Sequence, residues 1–300
     1  MKLKRTLKDL RRFGAVALTR PFDRRDPACI CNAAPIIIGG SPRSGTTLLR
    51  VMLDSHHRLC CGPESELLFS PAARLDVLAD RFDLADDELA AIARRSPCRA
   101  AFVEGLFDEY ARRQGKARWA EKSPDNVHHL ADIFAGFPEA RFIHIIRDGR
   151  DTVCSLRTHP RHRVVDGQLI PRHTWRPIDQ CARIWVDAVE AGLAWSGDAR
   201  CLELRYEDLV AEPRHAMGRV LGFLDEPWDE AVLHHEQVAS SSRDVRKFPQ
   251  NPEATGAIAT TSLSRWQHDL GAEDRATVEQ IAGDLLVRLG YAADGRWASW

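Results

Sequence analysis

Gly40, Arg43, Ser44, Gly45, Thr46 and Thr47 stand in a run, Pro35 to Thr47, that passes from three consecutive isoleucines into small and polar residues. Such a run reads as a buried strand, a tight glycine-bounded loop and the start of a helix. A loop of that kind turns backbone N–H groups and the positive end of a helix dipole toward an anion. Gly40 and Gly45 bracket four residues, as in loops that cradle nucleotide phosphates, but Thr46 stands where a lysine would reach the β- and γ-phosphates of a nucleoside triphosphate. Arg43 supplies charge from inside the loop instead, and the pattern suits a single 5′ anionic group.

A second polar group follows the apolar run Arg141–Ile146. Arg147 comes first and Ser155 eight positions later. A turn there opens another helix, repeating the strand-to-helix logic of the first loop. Arg147 with Asp148 also reads as a local ion pair, and Lys122 as a surface lysine before the turn-forming Pro124.

The elements that must carry these residues alternate. Thr46 to Asp54 is a helix with Leu48, Leu49, Met52 and Leu53 on one face. Residues 75 to 113 read as helices, Arg141–Ile146 and Cys201–Tyr206 as strands, and Arg214–Leu224 as a helix. A last helix, Ala272 to Leu289, stops at Gly290. Strands alternating with helices predict a three-layer α/β fold of the P-loop NTPase-like kind, with a central parallel β-sheet flanked by helices and ligands at the strands' C-terminal ends.

The chain has 300 residues, 44% hydrophobic and 28% charged, with a formal net charge of -1. We read a basic N-terminal extension over 1–32 and a single domain over 33–300, with a helical insertion near 70–115 and a basic lid near 157–180. Arg157 to Arg176, rich in arginine and histidine without apolar periodicity, reads as a basic loop. Near-zero net charge argues against general nucleic-acid binding. The apolar stretch Phe13 to Leu18 is too short for a transmembrane span, so a cytoplasmic protein is expected. The eight cysteines lack zinc-site spacing and are sparse for a disulfide scaffold. Reduced thiols are expected, with Cys29, Cys31 and the vicinal Cys60 and Cys61 as the redox alternative.

Four segments together resemble the sulfotransferases that use 3′-phosphoadenosine 5′-phosphosulfate (PAPS): the loop Pro42–Thr47, Arg147 with Ser155, the turn Arg205–Leu209, and Ser264-Arg265-Trp266. Within that superfamily, Arg43 to His56 followed by Cys61-Gly62-Pro63-Glu64 looks most like the protein-tyrosine sulfotransferase branch. Pro63 replaces the first glutamate of that branch's Cys-Gly-Glu-Glu.

By that resemblance Arg43, Ser44, Gly45, Thr46 and Thr47 would hold the 5′-phosphosulfate, Arg147 and Ser155 the 3′-phosphate, and Tyr206 and Arg265 further parts of the nucleotide. A packed tyrosine is an equal reading of Tyr206. Glu64 would be the general base, with Glu66 its nearest competitor and His56, His57, His128 and His129 weaker ones. Lys122 and Arg43 would neutralise the leaving 3′-phosphoadenosine 5′-phosphate (PAP). The family's additional serine falls among Ser240, Ser241, Ser242 and Ser262.

No metal is called for, since there is no β,γ-phosphate pair to bridge. The acceptor would be a hydroxyl on a peptide tyrosine, a carbohydrate or a small metabolite, with an acidic peptide or glycan suiting the basic lid. A homodimer is expected from the resemblance. The alternatives are a P-loop kinase-like phosphotransferase, disfavoured by Thr46, and a noncatalytic nucleotide-binding module.

Overall fold

Ile36, Ile37 and Ile38 have nothing to offer water on either side, and they form the middle of the sheet. The computed structural model describes residues 30–68, 75–158, 161–165, 168–172, 175–239, 256, 258, 260 and 262–299. In chain order the elements are β1 (Ile36–Gly39), α1 (Thr46–Ser55), β2 (Leu59–Cys61), α2 (Leu75–Phe82), α3 (Asp86–Arg95), α4 (Arg99–Arg113), β3 (Arg118–Lys122), α5 (Leu130–Gly136), β4 (Arg141–Ile146) and α6 (Gly149–Thr158). Next come β5 (Arg161–Val165), β6 (Gln168–Arg172), α7 (Ile178–Leu193), β7 (Cys201–Arg205), α8 (Tyr206–Ala211), α9 (Pro213–Phe223), α10 (His235–Ala239), α11 (Trp266–Asp269) and α12 (Ala272–Arg288).

Five strands make one sheet in the order β2-β3-β1-β4-β7, every neighbouring pair parallel. Side chains alternate across it. Ile36 and Ile38 join one core with Leu49, Met52 and Leu53 of α1 and Met217 of α9. Ile37 joins the other, with Phe107 of α4, Phe137 and Ala188 of α7. The four apolar residues assigned to one face of α1 are all buried, each worth roughly 1.5–3 kcal/mol of apolar transfer. A third core joins α6, α7 and α12 around Trp185, Trp266 and Trp297.

Register sets the site. Ile38 lies beside Lys122 on one flank and Ile143 on the other, and Ile146 lies beside Arg205. The chain therefore leaves β1, β3, β4 and β7 at one edge, delivering the Gly40–Gly45 loop, Lys122, Arg147 and Tyr206 together.

The structure departs from the sequence reading in several places. The short strands β2 and β3 were not anticipated. Tyr206 opens α8 instead of ending a strand. Ser155 sits on the second turn of α6, not at a helix start. The stretch read as a basic loop pairs β5 with β6 as an antiparallel hairpin, Arg161 facing Arg172 and Val165 facing Gln168. No helix among the described residues is long and apolar enough to cross a membrane.

One core residue carries a measurable signature. His144 on β4 is buried against Gly192 of α7, so close that a Cβ there would lie 2.1 Å from the ring, and neither ring nitrogen has a partner. Burial pulls its pKa from the ordinary 6.5 down to about 4. Between those values the unfolded chain binds the proton and the folded chain does not, so His144's contribution to stability is intact above pH 6.5 and is lost as pH falls toward 4. Denaturant titrations should therefore show a stability–pH slope over this window that is about one proton steeper in the parent than in His144→Leu. Equal slopes would mean that His144 is not held neutral.

Candidate active site

The loop between β1 and α1 is shaped by its own residues. Ser44 N–H donates to the Ser41 carbonyl (3.2 Å), and Leu49 N–H to Gly45 (3.1 Å). Arg43 takes a left-handed φ of 73°, uncommon for a residue with a side chain and typical of strained functional loops. Gly45 has φ 91°, and a Cβ there would lie 2.2 Å from the ring of Tyr206. Glycine is thus required twice over, by backbone and by space. The N-terminus of α1 has neither a side-chain cap from its Gly45 N-cap nor an acid in its first turn, so the positive end of its dipole faces the loop. The Ser44 hydroxyl is buried there without a partner.

Arg147 is buried at the adjoining strand end. Its guanidinium donates to the carbonyls of Arg43 (3.2 Å) and Ser262 (2.5 Å), lies over the Tyr206 ring at 4.6 Å, and leaves Nε unpartnered. The alternative ion pair with Asp148 is not what forms, because Asp148 takes the fork of Arg150 instead (2.7 Å). Arg43 Nε donates to the Ser155 hydroxyl (3.1 Å), so these three predicted residues come together. Tyr206 packs between Gly45 and Arg147, and its hydroxyl meets Ser262 Oγ at 2.8 Å. Its ring supports the loop.

Lys122 ends β3 with its side chain only 3% exposed, so it is no surface lysine. Its ammonium pairs with the Glu64 carboxylate, which is 44% exposed, and reaches the Thr47 hydroxyl at 3.3 Å. Burial by itself would raise the Glu64 pKa. The charge and hydrogen bond of Lys122, with the charges of Arg50 and Arg81, outweigh it and hold the carboxyl below its ordinary range. A carboxylate in a dry cleft without these cations would have its pKa raised instead. The cations reverse it.

Two residues without an assigned role in the sequence reading build this site. Arg50, buried on α1 one turn beyond Thr46, donates to the Cys61 and Gly62 carbonyls (3.3 and 3.4 Å) and so seats the turn that carries Glu64. Asp151, buried on α6, accepts from the N–H groups of Ser264 (2.8 Å) and Trp266 (3.0 Å), fixing the Ser264-Arg265-Trp266 turn beside Arg147. An arginine inside an otherwise apolar helix face and an acid near a helix start were the available signals.

The remaining candidates lie elsewhere or serve other partners. Arg265 is paired with Asp269 at 2.6 Å. Glu66 is exposed, at φ 57°. His56 accepts at Nδ1 from the Arg58 N–H (3.1 Å), which leaves Nε2 to donate to the Pro227 carbonyl (2.9 Å), and His57 pairs with Asp229 (2.7 Å). Both sit at the far end of α1, and although their ligand atoms and Asp229's lie within 4.8 Å, His56 has both ring nitrogens engaged. His128 is exposed at the end of the turn after β3. His129 follows it, its pKa lowered by partial burial and by His128. Ser262 is committed to Tyr206 and Arg147, while Ser240, Ser241 and Ser242 lie outside the described residues. Cys60 and Cys61 are buried, the former pushed up to about 12 and the latter well above its ordinary value, which removes the redox reading for this pair. Cys31 is buried too, and Cys29 lies outside the described residues.

The arrangement can hold an anion on the loop, a second anion at Arg147 and a reacting hydroxyl at Glu64. A "Protein-tyrosine sulfotransferase A" of Caenorhabditis elegans is 28% identical over 267 residues, covering 85% of this chain and 67% of its own. The sulfotransferase domain of the Synechococcus PCC 7002 olefin synthase superposes with a TM-score of 0.61 at 25% identity, covering 84% of this chain and 95% of that domain. A mouse sulfotransferase solved with PAP superposes with a TM-score of 0.51 at 13% identity, covering 90% and 89%. The sequence profile of the sulfotransferase family matches residues 35–230, which take in the loop, Glu64, Lys122, Arg147, Ser155 and Tyr206. This chain belongs to the sulfotransferase family.

Proposed function

We propose that the protein moves a sulfuryl group from PAPS to a hydroxyl acceptor, with Glu64 as general base and Lys122 and Arg43 stabilising the leaving group. The observation that carries this reading is the Glu64–Lys122 pair at the mouth of the Gly40–Gly45 loop, in reach of Thr47. Base and cation are in direct contact, and Lys122 also reaches Thr47 at the start of the helix that the loop opens.

The residues fit the donor on two counts. The Ser44 hydroxyl and Arg147 Nε are buried polar atoms without partners, as expected of groups that await phosphate oxygens. Arg147 makes its other hydrogen bonds to carbonyls and none to a carboxylate, which suits it to a 3′-phosphate. The structural neighbour solved with PAP points the same way.

In the reaction the acceptor oxygen bonds to sulfur as the bond from sulfur to the 5′-phosphate oxygen breaks, and the leaving oxygen keeps the electron pair. The acceptor proton goes to Glu64. Lys122 links the two events. With the donor absent it holds Glu64 ionised and weakly basic, and as charge grows on the leaving oxygen it is drawn to that oxygen, leaving Glu64 a stronger base. The nematode relative's name favours a peptide tyrosine as acceptor. The arginines of residues 157–176 suit acidic residues around it, with a carbohydrate or small metabolite the other acceptor classes.

Calorimetric titration tests the donor site. PAP should bind in the micromolar range while 5′-AMP and Mg·ATP bind far more weakly, and Arg147→Ala should weaken PAP by about 10- to 100-fold with little effect on 5′-AMP. Preference for Mg·ATP would point to the kinase-like alternative.

Transfer to a tyrosyl peptide tests the chemistry. Lys122→Met should lower kcat by about a hundredfold to a thousandfold, and Glu64→Gln by a comparable factor, with PAP still bound by Glu64→Gln. Transfer untouched by both changes would remove Glu64 and Lys122 from the chemistry, and PAP binding without transfer to any acceptor would leave a nucleotide-binding module.

A further inference from the structure

Glu121 is wholly buried, one residue before Lys122, and adjacent strand residues point to opposite faces of the sheet. While Lys122 faces the loop, Glu121 gathers four hydrogen bonds. Its Oε1 accepts from the Ser65 N–H (3.2 Å), the Ser65 hydroxyl (2.9 Å) and the Ser123 hydroxyl (2.7 Å), and its Oε2 from the Asn126 side-chain amide (2.6 Å). The donors are not scattered. Ser65 follows Glu64, and Ser123 follows Lys122 and accepts in turn from the Glu66 N–H (3.4 Å). Asn126 shares its amide with the Ile38 carbonyl (3.1 Å), just before the loop leaves β1.

We infer that Glu121 is a positioning residue that laces the Glu64 turn to the end of β3 and so sets the Glu64–Lys122 geometry. The inference rests on the sulfuryl-transfer reading of that pair. Its physics is independent of it: four N–H and O–H groups converge on one carboxyl group, the Ser65 hydroxyl among them at 2.9 Å. Burial pushes the Glu121 pKa up, with the hydrogen bonds from Asn126, Ser123 and Ser65 opposing it. Glu121 touches no reacting atom. It acts by holding Ser65 and Ser123, each next in chain to a residue that does.

Glu121→Gln keeps the volume and turns an acceptor into an amide donor facing Ser65 or Asn126, while Ser65→Ala removes only the link to the Glu64 turn. Two readouts decide between positioning and a general structural role. The first is kinetic: Glu121→Gln should lower kcat by about a hundredfold while the calorimetric Kd for PAP stays within about threefold of the parent. Ser65→Ala should do the same to a smaller degree. The second needs no turnover. The lysine Cε NMR signal of Lys122, identified by its loss in Lys122→Arg, should move in both variants toward its position in Glu64→Gln. An unmoved signal, or equal losses of kcat and PAP binding, overturns the inference. A parent that neither binds PAP nor transfers sulfate sinks the functional reading instead, and the lysine signal then still decides whether Glu121 sets the pair.

Discussion

An ammonium group with only 3% of its side chain exposed must have a counter-charge, because removing it from water unpaired costs several kcal/mol. Lys122 is that group, and much of the site follows from satisfying it. Glu64 provides the charge, but Glu64 belongs to the turn after β2, 58 residues earlier in the chain. The turn must therefore be brought to the end of β3 and kept there. Arg50 seats it from α1 through the Cys61 and Gly62 carbonyls, Arg81 donates to the Glu64 carbonyl, and the Ser65 side meets the buried Glu121. A single buried cation thus fixes the relation of β2, β3 and α1 around one cleft.

Arg147 solves the opposite problem. It is equally buried, yet its guanidinium hydrogen-bonds to carbonyls and rests on a tyrosine ring, neither of which cancels a full charge. Asp148 is turned away into the fork of Arg150, itself held against Trp266 at 4.1 Å, and Asp151, which feels the Arg147 charge, accepts from the Ser264 and Trp266 N–H groups. Positive charge at a strand end, beside a helix N-terminus, concentrates positive potential in one place. Neutralising Arg147 within the chain would remove the reason for the loop's shape. On the proposed function, the cation paired with a carboxylate places a base, and the one held by carbonyls receives an anion.

Much of this was legible in the sequence, and what was not has a physical reason. The Ile36–Ile38 run, the two loop glycines and the polar break after Ile146 are local signals, and β1, α1 and β4 formed where they pointed. Strand β3 was not legible, because its sequence, Arg-Trp-Ala-Glu-Lys, shows charges whose burial makes sense only once Ser65, Asn126 and Glu64 are beside them. The hairpin β5–β6 was hidden in the same way by arginines that suggested a loop. Tyr206 was ambiguous until Gly45 showed what its ring packs against. The roles of Arg50 and Asp151 depend on carbonyls and N–H groups of distant turns, which no spacing rule reports.

The fate of the vicinal cysteines shows how one segment was narrowed to one task. Cys60 and Cys61 invite a redox role in sequence, yet both thiols are buried on the strand that leads into the Glu64 turn, where loss of solvation favours the neutral form. Asp54 raises the Cys60 pKa further while Lys116 and Arg50 oppose it, and the outcome is a thiol pushed up to about 12. Such a thiol behaves as a small apolar side chain. The backbone of the same residues carries the function: the Cys61 N–H is held by Asp54 (2.8 Å) and the Cys61 carbonyl by Arg50 (3.3 Å), so the peptide leading to Glu64 is clamped on both sides. Three cations, Lys122, Arg50 and Arg81, then face the carboxylate that this clamp presents. With its pKa held low, Glu64 is ionised across the neutral range and ready to accept a proton, but its basicity is curbed while those charges surround it. Of the three, Lys122 alone hydrogen-bonds the carboxylate oxygen, which makes it the charge whose displacement changes Glu64 most.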